Sequence, residues 1–181
     1  MTRRIGFIIF WMTMSILSLG HASQVFAEQA TIKAMAPWKG EGFAFPIGDE
    51  RVYMVAVFSG IMFVEDGQGA LHAGSLVCPA TVEADLKTVT KSGKGHCIIS
   101  NTEGERVYAE FSCTGDFEGC KGPFKITGGT GKFTGITGEG EMISKIQTRE
   151  LTVVEGFESA RQHGEGIAVW PRITYNIPET K

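Results

Sequence analysis

The sequence predicts an all-β protein, an eight-stranded antiparallel β-barrel that is lipocalin-like in shape. Three observations carry this expectation. Apolar and polar residues alternate with a period of two in stretch after stretch, and no segment sustains a helical period. Clusters of turn-forming residues separate the stretches at short spacing, so consecutive strands must run antiparallel. The stretches number eight, which closes a small barrel and leaves no sheet edge open. A two-sheet sandwich answers the same strand count, because counting alone does not decide closure.

The chain begins with a segment that does not belong to this pattern. Arg3 and Arg4 precede an apolar stretch of about 15 residues, short of the ~20 that a spanning helix needs. His21-Ala22-Ser23-Gln24 and Val25-Phe26-Ala27 complete the order of a secretory signal, which predicts a cut between Ala27 and Glu28. Residues 1–27 are therefore expected to be a cleavable signal peptide and residues 28–181 a single exported domain, periplasmic or secreted. Arg3-Arg4 matches a twin-arginine signal only in part. No cysteine follows the cut to take a lipid, and no later run is long and apolar enough to insert in a bilayer.

Strands are expected over residues 38–45, 51–65, 76–87, 96–100, 106–114, 120–127, 136–146 and 166–176. In residues 76–87, Leu76, Cys78, Ala80, Val82, Ala84 and Leu86 form a dry face against Val77, Pro79, Thr81, Glu83, Asp85 and Lys87. Val107, Ala109, Phe111 and Cys113 do the same against Arg106, Tyr108, Glu110 and Ser112. Turns are expected at Gly48-Asp49, Asp66-Gly67-Gln68-Gly69, Ser92-Gly93, residues 101–104 and Gly128-Gly129. Residues 151–164 read either as a long loop or as one or two helical turns over Glu158 to Gln162.

The strand at residues 51–65 departs from simple alternation. Val52, Met54, Ala56, Phe58 and Met62 take one face, yet Val55, Val57, Ile61 and Phe63 take the other. A barrel strand that is apolar on both faces needs cover on its outer side. Another copy of the chain, giving a homo-oligomer, or residues 151–164 would supply it.

The predicted exported domain carries 15 basic and 20 acidic residues, with no basic block or stripe, which argues against nucleic acid as a partner. Its four cysteines, Cys78, Cys97, Cys113 and Cys120, form no C-x-x-C pair, so two disulfides are expected and no metal site. Three pairings are formally open. A hairpin centred on residues 114–119 sets Cys113 opposite Cys120, at a separation that suits a disulfide. Cys78 then joins Cys97.

The densest local signal is Gly128-Gly129-Thr130-Gly131-Lys132-Phe133-Thr134-Gly135-Ile136-Thr137-Gly138. A phosphate loop ending at Gly131-Lys132 would need Gly at Ile126 and Ser or Thr at Phe133, and a dinucleotide fingerprint would need Gly at Thr134. Both fail, so no nucleotide or other cofactor is expected. Gly128-Gly129 is read instead as a tight turn with positive φ, and Phe133 as a ring dropped into the barrel mouth. This segment resembles the G-G-T-G-x-F-x-G-x-x-G stretch of the allene oxide cyclase-like and dirigent-like barrels. The resemblance implies an eight-stranded antiparallel barrel, commonly oligomeric, around an apolar cavity.

For function, the leading expectation is a binding protein that holds a small apolar ligand in the barrel mouth. Trp38, Phe133, Trp170 and Tyr175 are the candidate lining residues. A cyclase- or isomerase-type enzyme is the alternative, since a dry, shaped cavity steers a reactive substrate with little acid–base machinery. No Ser/His/Asp arrangement is present, and His72, His96 and His163 are scattered. Glu165 shares parity with Ile167 and Val169 and is the candidate inward-facing carboxylate. A structural assembly component is the third reading.

Overall fold

The alternation in the sequence becomes a single sheet that closes on itself. The computed structural model describes residues 28–153 and 160–178. Its strands are β1 (Glu28–Gly48), β2 (Arg51–Val64), β3 (Gly74–Asp85), β4 (Thr90–Ser100), β5 (Arg106–Asp116), β6 (Gly119–Gly129), β7 (Thr137–Val153) and β8 (Ala160–Ile177). Each pairs antiparallel with the next in chain order, and β8 returns to β1 to close the barrel. One turn of 3-10 helix, Gly131–Phe133, lies between β6 and β7. The signal peptide predicted for residues 1–27, and its cut, lie outside the described residues.

All eight expected strands are present, with longer bounds at both ends of the chain. β1 spans 21 residues and carries Pro37 and Pro46 within it. Both lie just outside the strand expected at residues 38–45, and proline donates no ladder hydrogen bond. A register shift at Pro46/Gly48 absorbs one of them. Of residues 151–164, the described ones, 151–153 and 160–164, are strand. Leu151–Val153 finish β7, and Ala160 to Gly164 open β8, in register with each other and with β1. Glu158 and Ser159 lie outside the described residues.

Two turns fall elsewhere than expected. Ser92-Gly93 lies inside β4, and the chain reverses instead at residues 86–89. That turn has no Gly or Pro to announce it. Asp85 does the work, its carboxylate accepting hydrogen bonds from the Lys87 and Thr88 amides at 3.0 and 2.8 Å. The Thr88 amide, first among these partners, lowers the Asp85 pKa. Leu86, expected on the dry face, is carried out of the barrel by the turn and is exposed. Gly128-Gly129 closes β6 without positive φ, and the left-handed residues of that loop are Gly131 and Gly135. Gly129 is constrained by space instead: a Cβ there would meet Phe133 Cβ at 2.6 Å and the Arg106 carbonyl at 2.7 Å.

The parity assigned to β2 is correct. Met54, Ala56 and Phe58 face the interior, while Val55, Val57, Ile61 and Phe63 are exposed outside. Phe43 stands opposite Val55, and Met35 opposite Phe63, so β1 and β2 share one outer apolar strip. Among the described residues, no segment of this chain lies over it.

Candidate functional site

The same eight strands enclose two different interiors. Toward the loops at 65–73, 101–105 and 130–136 the barrel is full. Trp170, Phe124, Phe133, Met62, Ile99, Ile126, Ile136, Ile173 and Val107 are the largest fully buried side chains there. Toward the turns at 49–50, 86–89 and 117–118 many inward positions are small, among them Gly40, Gly42, Ala56, Ala80, Gly93 and Gly164, and beside larger residues such as Met54, Val82 and Phe117 they leave a cavity of 140 Å³.

Aromatic rings mark the boundary between the halves. Trp38 and Phe58 meet edge to face with centroids 5.2 Å apart. Both lie over glycines. A Cβ on Gly166 would come within 2.5 Å of the Trp38 ring, and one on Gly40 within 2.6 Å of the Phe58 ring. These glycines let the rings lie close to the wall, which keeps the space beyond them open.

Both disulfides border that space. Cys78 joins Cys97 across β3 and β4 with Cα atoms 4.1 Å apart, and Cys113 joins Cys120 across the β5–β6 hairpin at 5.5 Å. Both pairings agree with the sequence expectation, and none of the four cysteines is left to bind a metal. The remaining lining is largely apolar, with Lys91, Ser144, Gln162 and Glu41 as its polar members. Among the described residues, no charged side chain is buried, and no three His, Cys, Asp or Glu gather as metal ligands.

No protein-family model matches this chain, and neither does any curated protein.

The structure divides the predicted site residues. Trp38 and Trp170 line the cavity together, on adjacent strands. Phe133 and Tyr175 are buried in the filled half and are not part of the cavity wall. Phe133 therefore plugs the end of the barrel opposite the mouth, which corrects the ring placement expected from the motif. Glu165 points outward. Its side chain is 58% exposed, and its carboxylate lies 3.9 Å from His163 Nε2. The inward-facing residues of β8 are Gly164, Gly166, Ala168 and Trp170, so Glu165 has the wrong parity for an interior acid. Met54, Phe58, Phe111 and Met142 also line the cavity and were not singled out from the sequence. Their inward parity was the available signal.

The glycine motif builds the closed end. The Thr130 amide donates to the Arg106 carbonyl, and the Arg106 amide donates to Thr130 Oγ1, at 2.8 and 2.9 Å. The Lys132 amide donates to Glu105 Oε1 at 2.9 Å, and Lys132 Nζ lies 3.0 Å from Glu103 and 3.3 Å from Glu105. The Lys132 amide and then Asn101 Nδ2 hold the Glu105 pKa down, from an ordinary 4.5 to about 2. The lysine that suggested a phosphate loop thus faces two carboxylates of its own chain.

Proposed function

We propose that this is an exported binding protein of the allene oxide cyclase-like and dirigent-like barrel group, holding a small apolar ligand in its hollow half. The observation that carries the reading is a 140 Å³ space, apolar in its depth, beside a fully packed half of the same barrel. An apolar cavity of ~150 Å³ in another protein stays dry and takes up benzene. The two disulfides support an oxidising compartment, in keeping with export. No helix among the described residues is long and apolar enough to cross a membrane. A lipid-facing barrel carries an apolar band all round, whereas ion pairs cross the outer wall here, Lys121–Glu141 at 3.7 Å and Lys125–Glu110 at 3.8 Å.

Native mass spectrometry of protein purified from its own host tests the reading. The expected result is a bound molecule of one-ring size, released on denaturation. Protein that is empty and takes up no small apolar compound defeats the proposal.

The outer strip on β1 and β2 fits a second copy of the chain. Lys39 and Glu41 lie two residues apart on that face; Lys39 has no ion-pair partner among the described residues, while Glu41 already lies 3.7 Å from Arg161 and 3.8 Å from His163. A two-fold axis between them sets each Lys39 against the other copy's Glu41. Val57, 48% exposed within the strip, is the position to change. Val57→Lys should give folded monomers where the unaltered chain gives oligomers by light scattering. An unaltered chain that is monomeric at micromolar concentration ends this part of the proposal.

A further inference from the structure

One lysine of this barrel faces the cavity. On β4 the inward positions alternate, and Lys91 lines the cavity together with Gly93 and Cys97. It lies just past the turn at 86–89, at the rim of the hollow half. Lys91 is half-buried, whereas the other lysines among the described residues are exposed. Its charge is felt at the neighbouring β5–β6 turn. There the Glu118 and Gly119 amides hold the Asp116 pKa down, and Lys145 and Lys91 add to the effect through their charge.

The acid that borders the same cavity turns away from it. Glu41 stands between Gly40 and Gly42, which take the inward positions of β1. Its side chain is 57% exposed and lies 3.7 Å from Arg161 and 3.8 Å from His163, so its charge is met on the outer wall. Gln162 enters the lining from β8, across the barrel from β4, and its amide is a further donor.

We infer that the hollow half takes a single-ring aromatic carboxylate, with the ring in the apolar depth and the carboxylate at Lys91 on the rim. This rests on the ligand-binding reading and adds to it the charge of the ligand. Size comes from the 140 Å³ of space, enough for one ring with a small substituent. The ring suits a wall that includes Trp38, Phe58 and Phe111. The anionic group follows from a cation that faces the cavity, because a lysine bonds a carboxylate with charge assistance.

Benzoate and nitrobenzene form a matched pair of probes, alike in shape and differing in charge at neutral pH. Calorimetric titration of the full chain should show benzoate binding about tenfold more tightly, the worth of one charge-assisted hydrogen bond at a rim open to water. Added salt should narrow that gap. Lys91→Met should bring the two probes level. In the unaltered chain, benzoate should also slow the acylation of Lys91 by an amine-directed reagent, read by peptide mass. If both probes bind with equal affinity, or if benzoate leaves Lys91 acylation unchanged, the carboxylate inference is overturned and the ligand-binding reading stands. A benzoate preference that survives in Lys91→Met overturns it equally. If neither probe binds, the ligand-binding reading falls and takes the inference with it. The acylation measurement decides the matter even if Lys91→Met fails to fold.

Discussion

The filled and hollow halves of this barrel share the same strands and hydrogen-bond ladders, yet they are held together by different means. On β4, Ile99 packs in the filled half, while Gly93 faces the cavity six residues earlier. On β1, Ala34 and Ala36 lie beneath a full core, while Gly40 and Gly42 border empty space. The filled half gains the burial of large side chains, worth about 1.5–3 kcal/mol for each. The hollow half forgoes much of that, and both disulfides are found there. Cross-links restrict the unfolded chain and so stabilise a region whose core is deliberately incomplete. Barrel closure is thus a property of the backbone, and emptiness is a property of which inward positions are small.

The strongest way to break this comparison is to empty the filled half. Phe133→Ala removes a ring that is fully buried under the loop joining β6 to β7. Buried aromatic truncations of this kind cost about 3–5 kcal/mol. Chemical denaturation should show that loss, while uptake of a small apolar compound persists below the new midpoint because Phe133 does not line the cavity. A loss below about 1 kcal/mol would mean that the closed end contributes little to stability.

Acid tests the polar clasp over the same end. Glu105 has a folded pKa of about 2 against an ordinary 4.5. Its contribution to stability is therefore present above about pH 4.5 and drains away as pH falls toward 2. Melting temperatures across pH 2 to 5 should decline less steeply in Glu105→Gln than in the unaltered chain. Some slope should remain, because turn amides at the hollow end also lower Asp116, through Glu118 first, and Asp85, through Thr88 first. Parallel profiles for the two proteins would show that the clasp does not couple to folding.

What the sequence made legible follows from what its patterns encode. Period-two alternation records which face of a strand is dry, so eight strands, the double-faced β2 and both disulfides could be read from it. The same alternation does not report depth along the barrel axis. Trp38 and Phe133 are both inward-facing aromatics, yet one borders the cavity and the other plugs the far end. Parity also does not say which face is inside. Glu165 does share a face with Ile167 and Val169, but that face is the outer one, and Gly164, Gly166, Ala168 and Trp170 face the interior. Turns written in side-chain hydrogen bonds, as at Asp85, are quieter than those written in glycine.

The finest test adds a single methyl group to each half. A Cβ at Gly93 would lie 3.4 Å from Val82 Cγ2 and 3.6 Å from Cys113 Sγ, ordinary contact distances, and the backbone there has no positive φ. Gly93→Ala should therefore stabilise the fold by about 0.4–1 kcal/mol, by narrowing the freedom of the unfolded chain. It should also weaken ligand binding, since the methyl occupies cavity space. Gly129→Ala makes the same chemical change in the filled half, where the Cβ meets the Arg106 carbonyl at 2.7 Å and must displace backbone. That variant should be destabilised by about 1–3 kcal/mol, as overpacking generally is. Opposite signs in paired denaturation curves would show that the two halves differ in spare volume and not in strand quality. Equal signs would remove the distinction on which the cavity, and the ligand proposed for it, depend.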